Sequence, residues 1–470
     1  MGKLKKLYFE SYLFYIITLL SERVIPAVKN SFETSFIKKL WDWFDKRVLT
    51  LPLFKLIFDP EYISGIWYKS YFYRVTTFKI RKISYHLPRA SFKFRTLYLG
   101  VFLALLLIIP DVVWNNLFWI PLFAATGLFY LSRNIRNRMG TVFALVNVVL
   151  LLFLILLEFA LPYSAVVSIV YLLTGIDLFF LISFSVRSLE DLEGILMPVF
   201  AAAAFLCCVG FMQNTMFSYT SSSVFRDGIR LGEILMLIFP FVFVYPLEYF
   251  ENPRKTLYAG FIFIMFFNVI MATHSKAALI GFVVELVILI LTDIKFFPFL
   301  ILLMPLGLGS LIENVKSTWY ATTSYGNIVN NIINLSKKVW NFGFGVNSEK
   351  LISFYNSANM REAAQSSVIK IPYVNISPVY INFVIDIGAV FMVIFLAYIL
   401  RLAHSALTML VTGEKKYRRF FAAGLATLVA LSVSAFFETT IFASRTMLIY
   451  WAMLGILRSV RIMNLGIYES

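Results

Sequence analysis

The sequence predicts an all-α polytopic membrane protein with about 12 transmembrane helices, one large external loop and an N-terminal interfacial helical region. Three observations predict it. Of 470 residues, 60% are hydrophobic and 14% charged, against ~45–50% and ~25% in soluble domains. The apolar runs are long and continuous, not alternating as in a β-barrel. The basic residues between runs fall mainly where the positive-inside rule puts them. This excludes a disordered chain, a nucleic-acid-binding domain and an ordinary cytosolic enzyme.

Residues 1–95 form a basic segment. It holds 18 Lys or Arg and 7 Asp or Glu, so 18 − 7 = +11 of the net +16 lies there. Leu7–Val28 and Ser35–Phe58 mix apolar, aromatic and charged residues. That mixture fits amphipathic helices lying on an anionic inner leaflet; a partly ordered cytoplasmic tail is the alternative. Leu13–Leu20 is apolar, but Ser21-Glu22-Arg23 follows it, so no cleavable signal peptide is expected.

Apolar runs then place spans one to nine within residues 96–310. They are Thr96–Pro110, Trp114–Leu131, Thr141–Pro162, Val166–Val186, Ile195–Met212, Ile229–Phe250, Thr256–Ala272, Ala277–Leu291 and Phe296–Leu308. Residues 311–376 form the external loop. Residues 377–470 hold spans ten to twelve, Tyr380–Leu400, Phe420–Ala435 and Ile441–Leu457, and a cytoplasmic tail. Adjacent Cys207 and Cys208 lie in one apolar run, which disfavours a disulfide and offers no metal spacing.

Loop charge orients the chain. Arg133, Arg136 and Arg138, then Lys415, Lys416, Arg418 and Arg419, then Arg458 and Arg461, all fall inside if the N-terminus is inside. The exceptions are informative. Arg226, Arg230, Lys276 and Arg445 fall at the outer ends of spans, and the external loop adds Lys316, Lys337, Lys338, Lys350, Arg361 and Lys370. Outward cations on an apolar protein point to an anionic ligand. Snorkelling to lipid phosphate is the plainer alternative.

The external loop has apolar residues at helical spacing over Asn327–Trp340, followed by Gly343-Phe344-Gly345. The glycine pair lacks a preceding strand, so it marks a turn and not a dinucleotide site. In Thr273-His274-Ser275-Lys276-Ala277-Ala278 two spans meet with no room for a free loop. Lys276 opens a helix, where backbone donors favour an anion. His274 reads as a polar cap before a catalyst. His86, His274 and His404 are scattered, so no metal site and no cofactor is expected.

These pieces, in this order, resemble the O-antigen ligase and O-antigen polymerase family, bacterial membrane glycosyltransferases of the C-type fold. The resemblance runs from Ser223 to Leu400. The family's arginine ahead of a central span is matched by Arg226 or Arg230. Its Thr-x-Ser-Arg-small-small tract is matched by Thr273–Ala278, with Lys276 in the arginine's place. Its loop helix and Gly-x-Gly turn are matched by Asn327–Gly345. Its His-Asn-x-Tyr-Leu tract corresponds to Ser377-Pro378-Val379-Tyr380-Ile381, followed by Asp386-Ile387-Gly388. Ser377 thus stands where the family's acceptor-activating histidine would be, and serine is a poor base at neutral pH.

The resemblance implies inverting, metal-independent transfer of a glycan from a polyprenyl-pyrophosphate carrier to a hydroxyl acceptor. It places the active site on the external face of the bacterial cytoplasmic membrane. The implied partners are a lipid-linked oligosaccharide donor, a glycan or lipid-linked glycan acceptor, and membrane lipids, with no nucleic acid. The absent histidine favours a cell-surface polysaccharide polymerase over a ligase moving finished glycan to an envelope acceptor. Expected catalytic groups are Arg226, Arg230 and Lys276, with Glu362 as base. Expected substrate-binding groups are Arg445, Arg361, Tyr380 and His274. A flippase of lipid-linked oligosaccharide should show internal symmetry between halves, which the sequence lacks. A scaffold would not need outward cations.

Overall fold

A computed structural model describes residues 92–110, 174–175, 178–179, 181–183, 185–217, 221–225, 228–247, 253–293, 296, 389–435 and 444–464, together with Trp43. All of these except Trp43 and residues 290–293 belong to one compact unit, made of 92–118, 154–289 and 296–470. The expected spans Trp114–Leu131 and Thr141–Pro162 lie outside the described residues. So do the external loop, the N-terminal amphipathic stretches and all of Phe296–Leu308 but Phe296.

Eight long helices occur among the described residues, which contain no strand. They are α1 (Phe92–Ile108), α2 (Leu189–Phe217), α3 (Gly228–Leu247), α4 (Pro253–Ala272), α5 (Lys276–Thr292), α6 (Ala389–Thr412), α7 (Lys415–Ser434) and α8 (Ser444–Asn464). The stretches Leu189–Met216, Gly228–Tyr245 and Arg445–Asn464 are long and apolar enough to cross a membrane. Each of the eight helices overlaps a run that hydropathy marks as a span.

The boundaries differ where polar chemistry, not hydropathy, ends a helix. α2 starts at Leu189, ahead of the expected Ile195, because Ser188 and Asp191 cap it reciprocally. The Asp191 N–H donates to Ser188 Oγ at 3.2 Å, and Asp191 Oδ2 accepts the N–H groups of Arg187 and Ser188 at 3.1 and 3.2 Å. α6 runs past the expected Leu400 to Thr412. Arg401 is exposed while Leu402, Ala406 and Leu410 stay buried at four-residue spacing, so one apolar face outlasts the fully apolar run.

Glycines set the helix packing. Pro198 cannot donate to the Gly194 carbonyl. Gly100 of α1 packs on that oxygen, where a Cβ would lie 2.5 Å away. Gly455 of α8 sits against Phe179, and Ser183 Oγ donates to the Phe179 carbonyl at 2.6 Å. Close backbone approach of this kind replaces hydrophobic driving force between helices in lipid. Between α3, α4 and α5 the core is aromatic: Phe239 meets Phe243, Phe266 and Phe282 with centroids 4.9, 5.5 and 4.6 Å apart.

Candidate functional site

Three chain segments converge at one end of the bundle. The first is Ser221–Phe225, between α2 and α3. The second is Thr273–Ser275, between α4 and α5. The third is the start of α8.

The first two are joined directly. Ser221 donates its N–H to the Ala272 carbonyl at 3.0 Å and its Oγ–H to the Gly210 carbonyl at 2.6 Å. Gly232, in the second turn of α3, lies on the other loop. A Cβ there would stand 2.8 Å from Thr273 Oγ1 and 3.0 Å from the Cβ atoms of Ser275 and Ala278. Glycine is required for this approach. It brings Arg230, two residues earlier on α3, to the end of the bundle that carries Lys276. Both are half-buried.

The short loop carries its own hydrogen bonds. The Thr273 hydroxyl donates to the Ile270 carbonyl at 2.7 Å and accepts the Ser275 N–H at 3.3 Å. Ser275 Oγ then accepts the Ala278 N–H at 3.2 Å, so the N-cap of α5 is Ser275 and not His274. His274 is exposed and bends the chain through the left-handed region at φ 55°. Lys276 is the first residue of α5, as its position in the tract predicts.

Two residues other than glycine among those described have positive φ: Ser223 at 52° and His274 at 55°. They sit in the two joined loops. Side chains with a Cβ resist this conformation by about 1–2 kcal/mol. Gln213 of α2 holds the Ser223 bend. Its Oε1 accepts the N–H groups of Ser222 and Ser223 at 3.0 and 2.7 Å, and its Nε2 donates to the Ser223 carbonyl at 3.1 Å.

Arg445 is more deeply buried than Arg230 and Lys276. It is 3% exposed. It lies in the first turn of α8, where a helix's own dipole opposes a cation. Its guanidinium reaches instead to the C-terminal turn of α1, donating Nη1–H to the Leu106 carbonyl at 3.4 Å. The same group stands over the Phe225 ring at 5.1 Å. The sequence places Arg445 at this end, but its side chain is engaged by the protein.

Among the expected site residues, the structure therefore brings Arg230, Lys276, His274 and Arg445 to one end. Arg226, Glu362, Arg361 and Tyr380 lie outside the described residues. The N-termini of α3, α5 and α8 share that end, and each adds partial positive charge. Half-buried cations at converging helix starts suit an anion, and guanidinium and ammonium donors suit phosphate oxygens.

Sequence reasoning missed three residues. Gln213 had no signal, because a glutamine near a helix end is ordinary. Glu233 on α3 and Glu285 on α5 did carry one: each is an acidic residue inside an apolar run. Glu233 is 5% exposed and Glu285 is completely buried. Neither Glu285 carboxyl oxygen has a hydrogen-bond partner among the described residues. No protein-family model and no curated protein matches the chain.

Proposed function

We propose that the protein is a membrane glycosyltransferase that polymerises polyprenyl-pyrophosphate-linked glycan units on the outer face of the bacterial cytoplasmic membrane. One observation carries the reading: Arg230 and Lys276, far apart in sequence, start two neighbouring helices that touch through Gly232. A pyrophosphate leaving group develops negative charge as the glycosidic bond breaks. Preorganised cations and helix N-termini lower that barrier without reorganising.

In this reading Arg230 offers a planar fork to the pyrophosphate and Lys276 a point charge beside the α5 N-terminus. Arg226 adds a third cation. The acceptor hydroxyl of a second lipid-linked unit loses its proton as the new bond forms, and Glu362 is the assigned base. Serine at position 377 favours polymerase chemistry over ligase chemistry.

The test is incubation of purified protein with radiolabelled lipid-linked repeat units. Ladders of longer glycans are expected. Translocation across vesicles with no change in glycan length would replace the reading with a flippase. Transfer of finished chains to an envelope acceptor, without elongation, would make it a ligase.

A further inference from the structure

The loop Ser221–Phe225 is held from three directions. α2 supplies the Gln213 side chain, which makes three hydrogen bonds to the loop backbone. The end of α4 supplies the Ala272 carbonyl to Ser221. α8 supplies Arg445, which lies over Phe225 and ties it to the C-terminal turn of α1. The left-handed bend at Ser223 is unfavourable for a residue with a Cβ. The Gln213 bonds hold the bend in place.

We infer that Gln213 and Arg445 are positioning residues of the anion site: they fix the Ser221–Phe225 loop at the end of the bundle where Arg230 and Lys276 start their helices. The inference rests on the pyrophosphate reading above. Neither residue touches the reacting atoms. Gln213 satisfies both N–H groups of the bend and its carbonyl. Arg445 places a desolvated cation against the C-terminal turn of α1. The anion then meets an ordered site and does not have to order it on binding.

The test uses the full-length protein in detergent with Cys208, which is exposed, replaced by alanine, while buried Cys207 is kept. A nitroxide on Val224→Cys, a half-buried position in the loop, reports loop motion, and inorganic pyrophosphate is the probe of the site. Gln213→Ala and Arg445→Met should both raise nitroxide mobility. Both should weaken pyrophosphate binding about tenfold, the cost of ordering a loop and one or two side chains on binding.

Gln213→Glu keeps the oxygen that accepts both N–H groups but loses the donor to the Ser223 carbonyl, so it should fall between wild type and Gln213→Ala. Arg445→Lys keeps the cation over Phe225 and should rescue part of the loss. Melting temperatures measured alongside separate a merely structural role, which would lower them and leave pyrophosphate affinity unmoved. Unchanged nitroxide mobility and unchanged affinity in both Gln213→Ala and Arg445→Met overturn the inference alone. A wild-type protein that does not bind pyrophosphate overturns the underlying reading, and the inference with it.

Discussion

The two ends of the helices are built on different rules. At the end opposite the candidate site, the connections among the described residues obey ordinary local chemistry. Ser188 and Asp191 cap α2 reciprocally. Gly413 and Glu414 turn the chain from α6 to α7 in two residues, and Asn464 Oδ1 at the end of α8 accepts the Glu414 N–H at 3.0 Å. No residue at these turns other than glycine has positive φ. At the site end, two residues with side chains are bent left-handed, three helix starts converge, and an arginine is buried. Strain that the surroundings hold in place accumulates where a site must be preorganised. The contrast separates connectors, which need only be satisfied, from a region whose geometry is specified.

The widest separation between the ends should come from charge removal. Arg230→Ala and Lys276→Ala should each reduce polymer formation about 10²–10³-fold, the effect of deleting one donor at developing charge. Lys276→Arg should retain activity, because charge and reach survive. Arg418→Ala, an exposed cation at the opposite end, should leave the rate unchanged. Elongation assays on purified variants at matched expression decide this. Equal rates for Arg230→Ala, Lys276→Ala and Arg418→Ala would erase the distinction between the ends.

A second separation is steric. Gly232→Val puts a branched side chain where even a Cβ meets Thr273 at 2.8 Å and Ala278 at 3.0 Å. Overpacking of this kind costs about 1–3 kcal/mol, and it pushes α3 off the short loop. Misplacing reacting groups by about 1 Å can cost about 10²-fold in rate. Gly424→Val, which meets Leu457 between α7 and α8, should lower the melting temperature similarly and spare the rate. The comparison fails if both variants lose stability and rate in the same proportion.

Much of this architecture is legible in the sequence, for a specific reason. Long apolar runs mark helices however they pack, so every described helix overlaps an expected span. Lys276 as the first residue of α5 follows from small residues flanking a polar tract. The α2 start is not legible from hydropathy, because Glu190, Asp191 and Glu193 lower it while the Ser188–Asp191 cap lengthens the helix. Burial of Arg445 is not legible either. Its partners, Leu106 and Phe225, are 339 and 220 residues away in sequence, and no local pattern brings them together. Gln213 binds the loop across nine and ten residues through backbone groups, which any sequence supplies.

Glu285 tests whether the interior between the ends is also specified. The carboxyl is completely buried, and neither oxygen has a hydrogen-bond partner among the described residues. An unsatisfied buried polar group costs about 1–3 kcal/mol, which an apolar group of the same shape recovers. Glu285→Met should therefore raise the melting temperature in detergent. If activity falls while stability rises, Glu285 belongs to the functional machinery. If activity is kept, the interior is packing alone and the specified region is confined to the site end.

The smallest effect is expected at the α2 cap, and it bears on the ordinary end directly. Asp191→Ala removes the acceptor for the Arg187 and Ser188 N–H groups and leaves Ser188 Oγ to accept from residue 191 as before. Loss of half of a reciprocal cap costs about 1 kcal/mol. The acidic group also favours the positive end of the α2 dipole, and its loss adds a few tenths more. Asp191→Asn should recover most of the loss, because its side-chain oxygen still accepts while the charge is gone. Thermal unfolding of the three proteins should rank wild type above Asp191→Asn above Asp191→Ala, with elongation rates the same. α2 is 29 residues long, about 43 Å along a straight helix, and its first turn stands at the end away from the site. A fall in elongation rate in Asp191→Ala that exceeds its loss of folded protein would show that the two ends are coupled through α2, and the division drawn between them would have to be given up.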